Sequence, residues 1–385
     1  MFTEKRAIAV ALAAVGAFID LYLTQPLLPL MAREFAATPT EVSHTVSSTT
    51  FAVALIAPFT GAVADVLGRK RIIITAMFAL AVPTLMLAFA QSLAGIIFWR
   101  FVQGLLLPPI FAVTVAYIGE EWPPIEATRI TGLYMAASGV GGFLGRFLTG
   151  LLASYFGWRA SFVGVAIVTL ACAIATAAML PRERHFVRSG GLGSQIFHMA
   201  AHLRNVRLLA TYAVGFGVLF SFVGTFTYIN FLLAAPPFNL TTADLGAIFI
   251  TYLVGSVIAT RTGALVEWLG RRWLVVVAVG FWAAGLALTL TGSLWVILGG
   301  LALCVTCGFL CQSSATSYVA ISSRQGRSSA VGLYVSFYYV GGGLGAVIPG
   351  IGWSLAGWPG CVATVAVVIA GIAALALVFW REPAV

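Results

Sequence analysis

The chain has 385 residues, of which 61% are hydrophobic and 9% are charged. Soluble domains have an apolar share of about 45–50%, so this composition excludes an ordinary water-soluble enzyme or binding domain. A membrane-spanning helix needs roughly 20 apolar residues, and twelve such helices would use most of the hydrophobic residues present. The net charge of +9 comes from basic residues that stand mostly between apolar stretches. Basic residues in the loops between spans set the orientation of a membrane protein, so this distribution indicates orientation rather than nucleic-acid binding.

The apolar stretches and the breaks between them predict twelve spans in two sets of six. The first six lie near 7–30, 42–64, 72–90, 94–117, 128–152 and 159–180, and the second six near 207–231, 242–264, 272–291, 294–317, 328–352 and 359–380. The first run is too long for the core of a signal peptide, so we expect a retained first span. We therefore predict an N-terminal six-helix bundle at 1–180, a cytoplasmic linker at 181–206 and a C-terminal six-helix bundle at 207–385.

The distribution of Lys and Arg predicts the orientation of the chain. Cytoplasmic loops of membrane proteins carry an excess of these residues. If the N-terminus is cytoplasmic, the loops on the opposite side receive only Arg33 and Arg159. We therefore predict that both termini are cytoplasmic.

The two halves of the sequence repeat each other. A glycine-rich pattern that begins Gly132-Leu133-Tyr134 and ends Gly157-Trp158 recurs 200 residues later, from Gly332 to Trp358. A second pair, GAVADVLGRK at 61–70 and GALVEWLGRR at 263–272, is offset by 202 residues. Parallel repeats of this kind are typical of transporters with a substrate cavity between two halves.

Two of these motifs carry a family resemblance. The loop at 61–70 resembles the signature loop of the major facilitator superfamily, and Arg100 with Gln103-Gly104 resembles its fourth-helix motif. Within that superfamily the chain is most similar to YnfM-type bacterial inner-membrane efflux transporters. The resemblance covers almost the whole chain and implies an all-α membrane protein with 12 transmembrane helices in two six-helix pseudo-repeats. One departure is that Arg146 stands where the antiporter pattern GxxxGPxxGG has its proline.

Asp20 is the acidic residue that this segmentation places deep within a span. A charge at that depth costs roughly 2.5–3.5 kcal/mol on insertion scales, so Asp20 should be protonatable, paired or facing water. We hypothesise that it carries a coupled proton, with a structural partnership to a buried arginine as the alternative. The resemblance to the fourth-helix motif implies that Arg100 takes part in proton movement. A structural pairing of Arg100 with Asp20 or with a backbone carbonyl is equally compatible with the sequence.

Arg146 lies midway along the predicted fifth span, on a face rich in small residues. Gly141, Gly145 and Thr149 are spaced by four residues, which favours close helix packing. We expect Arg146 to face the substrate, where a guanidinium can hold a carboxylate, with pairing to Asp20 as the alternative. Further polar residues are expected to line the cavity or, as the alternative, to bond neighbouring helices; these are Tyr22, Gln25, Gln103, Tyr228, Asn230, Gln312 and Tyr338.

The two related loop motifs are candidate gates. In the first we single out Gly61, Asp65, Gly68, Arg69 and Lys70, and in the second Glu267, Gly270 and Arg271. The resemblance implies that Asp65 engages a helix N-terminus or an arginine in one of two states. The alternative is a turn that only anchors the basic side of the bundle.

These features predict a secondary transporter in the cytoplasmic (inner) membrane. We expect alternating-access efflux of a small organic solute by proton antiport, with the lipid bilayer, protons and a small-molecule substrate as partners. The sequence contains no pattern for a metal, a cofactor, nucleic-acid binding or an enzyme active site, and one chain suffices as a functional monomer. The alternatives are proton-coupled uptake of an organic anion by symport and, in other classes, a lipid flippase or a non-transporting membrane receptor.

Overall fold

The computed structural model describes residues 2–183, 199–322 and 327–380, and within them the regular secondary structure is helical, without strands. Twelve helical segments in the described chain are long and apolar enough to cross a membrane. The predicted all-α architecture with twelve spans is therefore confirmed. The chain divides into two compact units, one of Met1–Ala37, Ser48–Leu192 and Leu240–Phe249, the other of Thr38–Ser47, Gly193–Asn239 and Ile250–Val385.

The α-helices of the first sequence half, within residues 2–183, follow each other with short breaks. They are α1 (Phe2–Leu21), α2 (Leu28–Glu34), α3 (Pro39–Leu67), α4 (Arg69–Phe89), α5 (Leu93–Glu121), α6 (Pro124–Phe156) and α7 (Trp158–Met179). The second half continues with α8 (Val206–Ala234), α9 (Thr242–Ala247), α10 (Thr251–Ala259), α11 (Thr262–Leu269), α12 (Arg271–Leu288), α13 (Leu294–Ser322), α14 (Arg327–Val347), α15 (Pro349–Ala356) and α16 (Trp358–Phe379).

The first predicted span is interrupted. The α-helix stops at Leu21, a 3-10 turn follows at Gln25–Leu27, and α2 starts at Leu28. Pro26 and Pro29 are the second residues of the turn and of α2. Proline suits a helix start because its missing N–H has no partner there, but it cannot continue the hydrogen bonds of a preceding helix. The last carbonyls of α1 are thus exposed to side chains from neighbouring helices.

Glycines let α6 lie directly on the backbone of α1. A Cβ at Gly141 would overlap Val15, and one at Gly145 would overlap the backbone of Ile19. One turn further along, the Thr149 hydroxyl oxygen lies 2.8 Å from the carbonyl oxygen of Leu23 and 2.7 Å from that of Gly145 on its own helix. The four-residue spacing of these small side chains therefore brings the two helices into backbone contact.

The second unit also contains two helices that pack closely through glycines. Cβ atoms at Gly341 and Gly345 on α14 would overlap the backbone of Phe216 and Phe220 on α8. The contact positions lie 201 residues after Val15 and Ile19, and the glycines lie 200 residues after their counterparts on α6. The internal sequence repeat is therefore also a repeat of helix packing.

Glycines with positive φ separate consecutive helices at four places in the described chain. Gly68 has φ 87° between α3 and α4, and Gly270 has φ 73° between α11 and α12. Gly157 has φ 82° before α7, and Gly357 has φ 62° before α16. Other residues rarely adopt such angles, so glycine makes these abrupt reversals possible.

Candidate functional site

The carboxylate of Asp20 is fully buried and held by three neutral donors. The hydroxyls of Thr84 and Thr169 lie 2.7 Å from Oδ1 and Oδ2, respectively. The Gln103 amide Nε2 lies 3.2 Å from Oδ1. Burial disfavours an ionised carboxyl group, whereas hydrogen bonds from these donors favour it. The surroundings of Asp20 therefore contain features that favour the neutral carboxyl group and features that favour the ionised one.

Arg100 bonds to the end of α1 rather than to the carboxylate. Its Nη1 donates to the backbone carbonyl of Asp20 at 2.6 Å, and its Nη2 donates to that of Leu21 at 2.5 Å. These carbonyls have no partners within α1 because the helix stops there, and a cation is favourable at a helix C-terminus. The sequence was compatible with pairing of Arg100 either to Asp20 or to a backbone carbonyl, and the structure shows pairing to backbone carbonyls.

Gln103 connects the arginine to the acid. Its Oε1 accepts from Arg100 Nη1 at 2.7 Å, so its Nε2 is directed toward Asp20 and Thr84. The structure thus brings together Asp20, Arg100 and Gln103, although Gln103 was expected to line the substrate cavity. It also adds Thr84 and Thr169, which sequence reasoning missed because threonine is common in these spans.

Arg146 lies in a second buried cluster in the same unit. Its side chain is 3% exposed, and Nε donates to Gln25 Oε1 at 2.7 Å while Nη1 donates to the Gly142 carbonyl. The guanidinium lies between two aromatic rings, 4.6 Å from the centroid of Tyr22 and 4.6 Å from that of Phe249. Tyr22, Gln25 and Arg146 are therefore neighbours, and the cluster pairs Arg146 with an amide and two rings rather than with Asp20.

Phe249 reaches this cluster from the second half of the sequence. It belongs to the segment Leu240–Phe249, which is part of the first unit. In this segment Gly246 packs against the backbone of Arg146, and the backbone of Thr242 packs against Gly150. Sequence reasoning missed Phe249 because its contact depends on a segment about a hundred residues away in the chain.

The predicted cavity residues of the second unit make separate contacts. Tyr228 donates to the Ala346 carbonyl at 2.9 Å, and the side-chain amide of Asn230 donates to the Phe226 carbonyl at 2.5 Å. Tyr338 stacks on Tyr334, with ring centroids 6.0 Å apart. These contacts join turns of one helix or neighbouring helices, which is the hydrogen-bonding and packing role given as the alternative to substrate contact.

Two of the predicted cavity residues, Asn230 and Gln312, share a further feature. The side-chain oxygen of each is buried without a hydrogen-bond partner within the described parts of the chain. A buried polar atom of this kind is costly unless another state, water or a ligand satisfies it.

The first gate motif is tied to two glutamates. Arg69, at the start of α4, forms a bidentate pair with Glu120, with contacts of 2.7 and 3.1 Å. The carboxylate of Glu183 lies over Gly68 and accepts from the backbone N–H of Lys70 at 3.4 Å. Negative charge is favourable at this helix N-terminus. Gly61 has open space around it, and the side chain of Asp65 lies outside the described part of the structure.

The second gate motif borders a groove. Glu267, Arg271, Ser313 and Ser317 line this space of about 410 Å³. Gly270 makes the positive-φ turn that starts α12. The Arg271 guanidinium lies 5.5 Å from the ring centroid of Tyr318. The motif therefore places one acid and one base on the same groove.

The cysteines do not form an evident metal centre. All five are buried and free, and the described residues contain no group of three His, Cys, Asp or Glu side chains arranged to hold a metal ion. Cys304 donates to a backbone carbonyl of α12 at 3.8 Å, as expected of a packed thiol.

A comparison with known proteins gives the family. The model of the Major Facilitator Superfamily matches residues 10–268. The chain belongs to the Major Facilitator Superfamily. This superfamily member is 32% identical over 351 residues to the MFS-type transporter YybF of Bacillus subtilis, covering 91% of this chain and 87% of YybF. It is 31% identical over 358 residues to the inner membrane transport protein YnfM of Escherichia coli, covering 93% of this chain and 86% of YnfM.

Solved structures of the superfamily have the same fold. The nucleoside transporter NupG has a TM-score of 0.76 and 14% identity, covering 98% of this chain and 99% of NupG. A bacterial homologue of the human lysosomal transporter Spinster has a TM-score of 0.75 and 15% identity, covering 98% of this chain and 95% of the homologue. The predicted family and fold are thus confirmed, and the protein is a secondary transporter and a multi-pass inner membrane protein.

Proposed function

We propose that the transporter exports a small organic solute by proton antiport, with Asp20 as the proton carrier. The observation that carries this proposal is the fully buried carboxylate with three neutral donors. Arg100 donates to the backbone carbonyls of Asp20 and Leu21 and not to this carboxylate. A carboxylate locked in a direct ion pair would resist protonation, whereas one held by neutral groups can exchange a proton.

Arg100 and Gln103 are positioning residues in this proposal. Arg100 fixes the end of α1 and the orientation of the Gln103 amide. Protonation of Asp20 then changes the charge next to the break between α1 and α2. A coupled proton must favour one state of the transporter over another, and a helix break beside the carboxylate is a suitable element for this effect.

Arg146 is the proposed contact for a polar or anionic part of the solute. Its guanidinium lies between Tyr22 and Phe249, a setting in which a planar, charged group combines ring contacts with hydrogen bonding. The same observation favours a second candidate function, proton-coupled uptake of an organic anion. Both functions use alternating access between two halves, as in other transporters built from repeats, and both assume cytoplasmic termini and a functional monomer.

Reconstitution tests the proposal directly. The full-length protein is placed in liposomes that contain a pH-sensitive dye, a proton gradient is imposed, and a panel of organic anions, zwitterions and cations is added. Antiport predicts that a transported solute moves against the direction of the proton, and uptake by symport predicts movement in the same direction. Collapse of the gradient with an ionophore must abolish the coupled flux in either case.

Asp20→Asn is the decisive variant. It retains the size of the side chain but cannot carry a proton, so we expect solute exchange to persist while coupling to the gradient is lost. Glu126→Gln is the matched control, because Glu126 is an exposed acid in the first turn of α6 and its neutralisation should leave coupling unchanged. Undiminished proton-driven transport by the Asp20→Asn protein would rule out the coupling role.

A further inference from the structure

The hydroxyl of Thr84 has two acceptors and one proton. Its Oγ1 lies 2.7 Å from Asp20 Oδ1 and 2.8 Å from the backbone carbonyl of Leu80, one turn back on α4. Gln103 Nε2 donates to the same hydroxyl oxygen at 2.7 Å. A threonine hydroxyl can donate only one hydrogen bond but can accept two. The hydroxyl therefore donates to only one of these two oxygens at a time.

We propose that Thr84 is a two-state switch that accommodates Asp20 in both its charged and its neutral form. When Asp20 is ionised, the Thr84 hydroxyl donates to Oδ1. When Asp20 is protonated on Oδ1, the acid donates to Thr84 Oγ1, and the threonine hydroxyl rotates to donate to the Leu80 carbonyl. The transferred proton stays on Asp20 and Thr84 keeps its own. This assignment rests on the proton-carrying role proposed for Asp20.

The other donors cannot take this role. The Gln103 amide is oriented by Arg100, which donates to its Oε1, so its Nε2 can only donate toward Asp20. The hydroxyl of Thr169 has a single hydrogen bond in the described part of the chain, to Asp20 Oδ2. If it accepted from a protonated Oδ2, its own hydrogen would lack an acceptor, which is costly for a buried group. Protonation at Oδ1, next to Thr84, keeps every member of the network bonded.

Other ionisable groups act on Asp20 from the surrounding helices. Arg100 approaches from α5 as the nearest positive charge, and the buried thiol of Cys172 on α7 is a second titratable group nearby. From α6, Arg146 contacts Tyr22, two residues beyond Asp20. The basic segment of α4, at 69–71, lies at the opposite end of that helix from Thr84. None of these groups is removed by a change at Thr84, so its variants isolate the switch.

Infrared spectroscopy of the purified full-length protein tests this proposal without a transported solute. The protein is titrated in a maltoside detergent, which has no ester carbonyl, and the C=O stretch of protonated carboxyl groups is recorded at each pH. Subtraction of the Asp20→Asn spectrum isolates the Asp20 band and its titration midpoint. The variants are Thr84→Val, Thr84→Ser, which keeps the hydroxyl, and Thr169→Val as the matched control for the loss of a simple donor.

The switch predicts different shifts for the two valine variants. Hydrogen bonds to a charged group are about twice as strong as neutral ones, so Thr169→Val should move the midpoint about one unit toward higher pH. In Thr169→Val the neutral acid loses only a weak hydrogen bond to its carbonyl oxygen, whereas in Thr84→Val its buried O–H is left without an acceptor. The neutral form is therefore penalised more strongly in Thr84→Val, so its shift should be less than half of that in Thr169→Val. The acid band should also move to higher frequency, because its O–H has lost an acceptor. Thr84→Ser should match the wild type in both respects.

Two further outcomes separate this inference from the proposed function. A Thr84→Val shift of half the Thr169→Val shift or more would overturn the switch, because Thr84 would then serve mainly the carboxylate. A wild-type spectrum in which no Asp20 band titrates would remove Asp20 as the proton carrier, and the proposed coupling with it. The first result leaves proton coupling through Asp20 intact, whereas the second does not.

Discussion

Gly104 sets the distance between α5 and α3, and replacing it with alanine perturbs the helix that carries Arg100 and Gln103. A Cβ at this position would overlap the carbonyl oxygen of Thr49. It would also lie 2.6 Å from the Cβ of Ala52 and 3.0 Å from the Thr49 carbonyl carbon. The obstructing atoms are backbone or Cβ atoms, which cannot rotate away. The two helices must therefore separate.

The size of this effect follows from contact distances. Carbon atoms pack at about 3.5–4.0 Å, so the helices must move apart by about 1 Å at this point. Overpacking of this kind costs about 1–3 kcal/mol. The movement also strains the hydrogen bond of 3.0 Å from the Thr49 hydroxyl to the Arg100 carbonyl, which contributes about 0.5–1.5 kcal/mol. We expect Gly104→Ala to lower the free energy of unfolding by about 2–4 kcal/mol.

The five buried, free cysteines provide the assay. A thiol-reactive fluorophore added to the purified protein reports their exposure during heating, and soluble domains of 150–250 residues lose roughly 2–4 °C in Tm per kcal/mol. Gly119→Ala is the control, because Gly119 is on the same helix and has open space around it. We expect Gly119→Ala to be neutral or slightly stabilising. A Tm for Gly104→Ala equal to that of the wild type would refute the packing argument.

The same assay checks two further pairs of substitutions. Gly68→Ala and Gly157→Ala both force alanine into a positive φ, at about 1–2 kcal/mol each. Of the two glycines, only Gly68 has a carboxylate oxygen directly above it, so the Tm of Gly68→Ala should fall further. Equal losses of Tm would contradict this. Trp158→Phe removes an indole donor to the Glu34 carboxylate at 2.5 Å, and Trp358→Phe removes one to a neutral hydroxyl at 3.0 Å. Hydrogen bonds to charged groups contribute about 1.5–3 kcal/mol, and those between neutral groups contribute about 0.5–1.5 kcal/mol. Trp158→Phe should therefore be the more destabilising substitution. The reverse order would contradict the charged character of the Trp158–Glu34 hydrogen bond.

Much of the fold could be predicted because the membrane imposes a simple rule. A spanning helix must satisfy its backbone internally and cover itself with apolar side chains, so runs such as that of α7 are visible in the sequence without any knowledge of neighbours. The glycine spacing on α6 also predicted close packing, since small residues at four-residue intervals make one smooth helix face. The interruption after Leu21 was hidden, because Asp20, Gln25 and Pro26 do not interrupt the apolar run enough to separate two helices.

The candidate site was predictable only in part. The cost of a buried charge singled out Asp20 and Arg146, and the order of residues along α5 placed Arg100 and Gln103 on one face. The partners of these residues could not be read from the chain. Thr84 resembles many other threonines in the spans until α4 is packed beside α1.

The sequence by itself determined that the chain crosses a membrane about twelve times, repeats its own helix packing and carries a few expensive polar groups. Those properties depend on composition, periodicity and motifs, which are local along the chain. Tertiary structure decided that Arg100 bonds to carbonyls of α1, that Phe249 covers Arg146, and that Asp20 is held by two threonines and an amide. Hydrogen bonds and ring contacts act over a few ångströms, so they are fixed only when helices distant in sequence pack together.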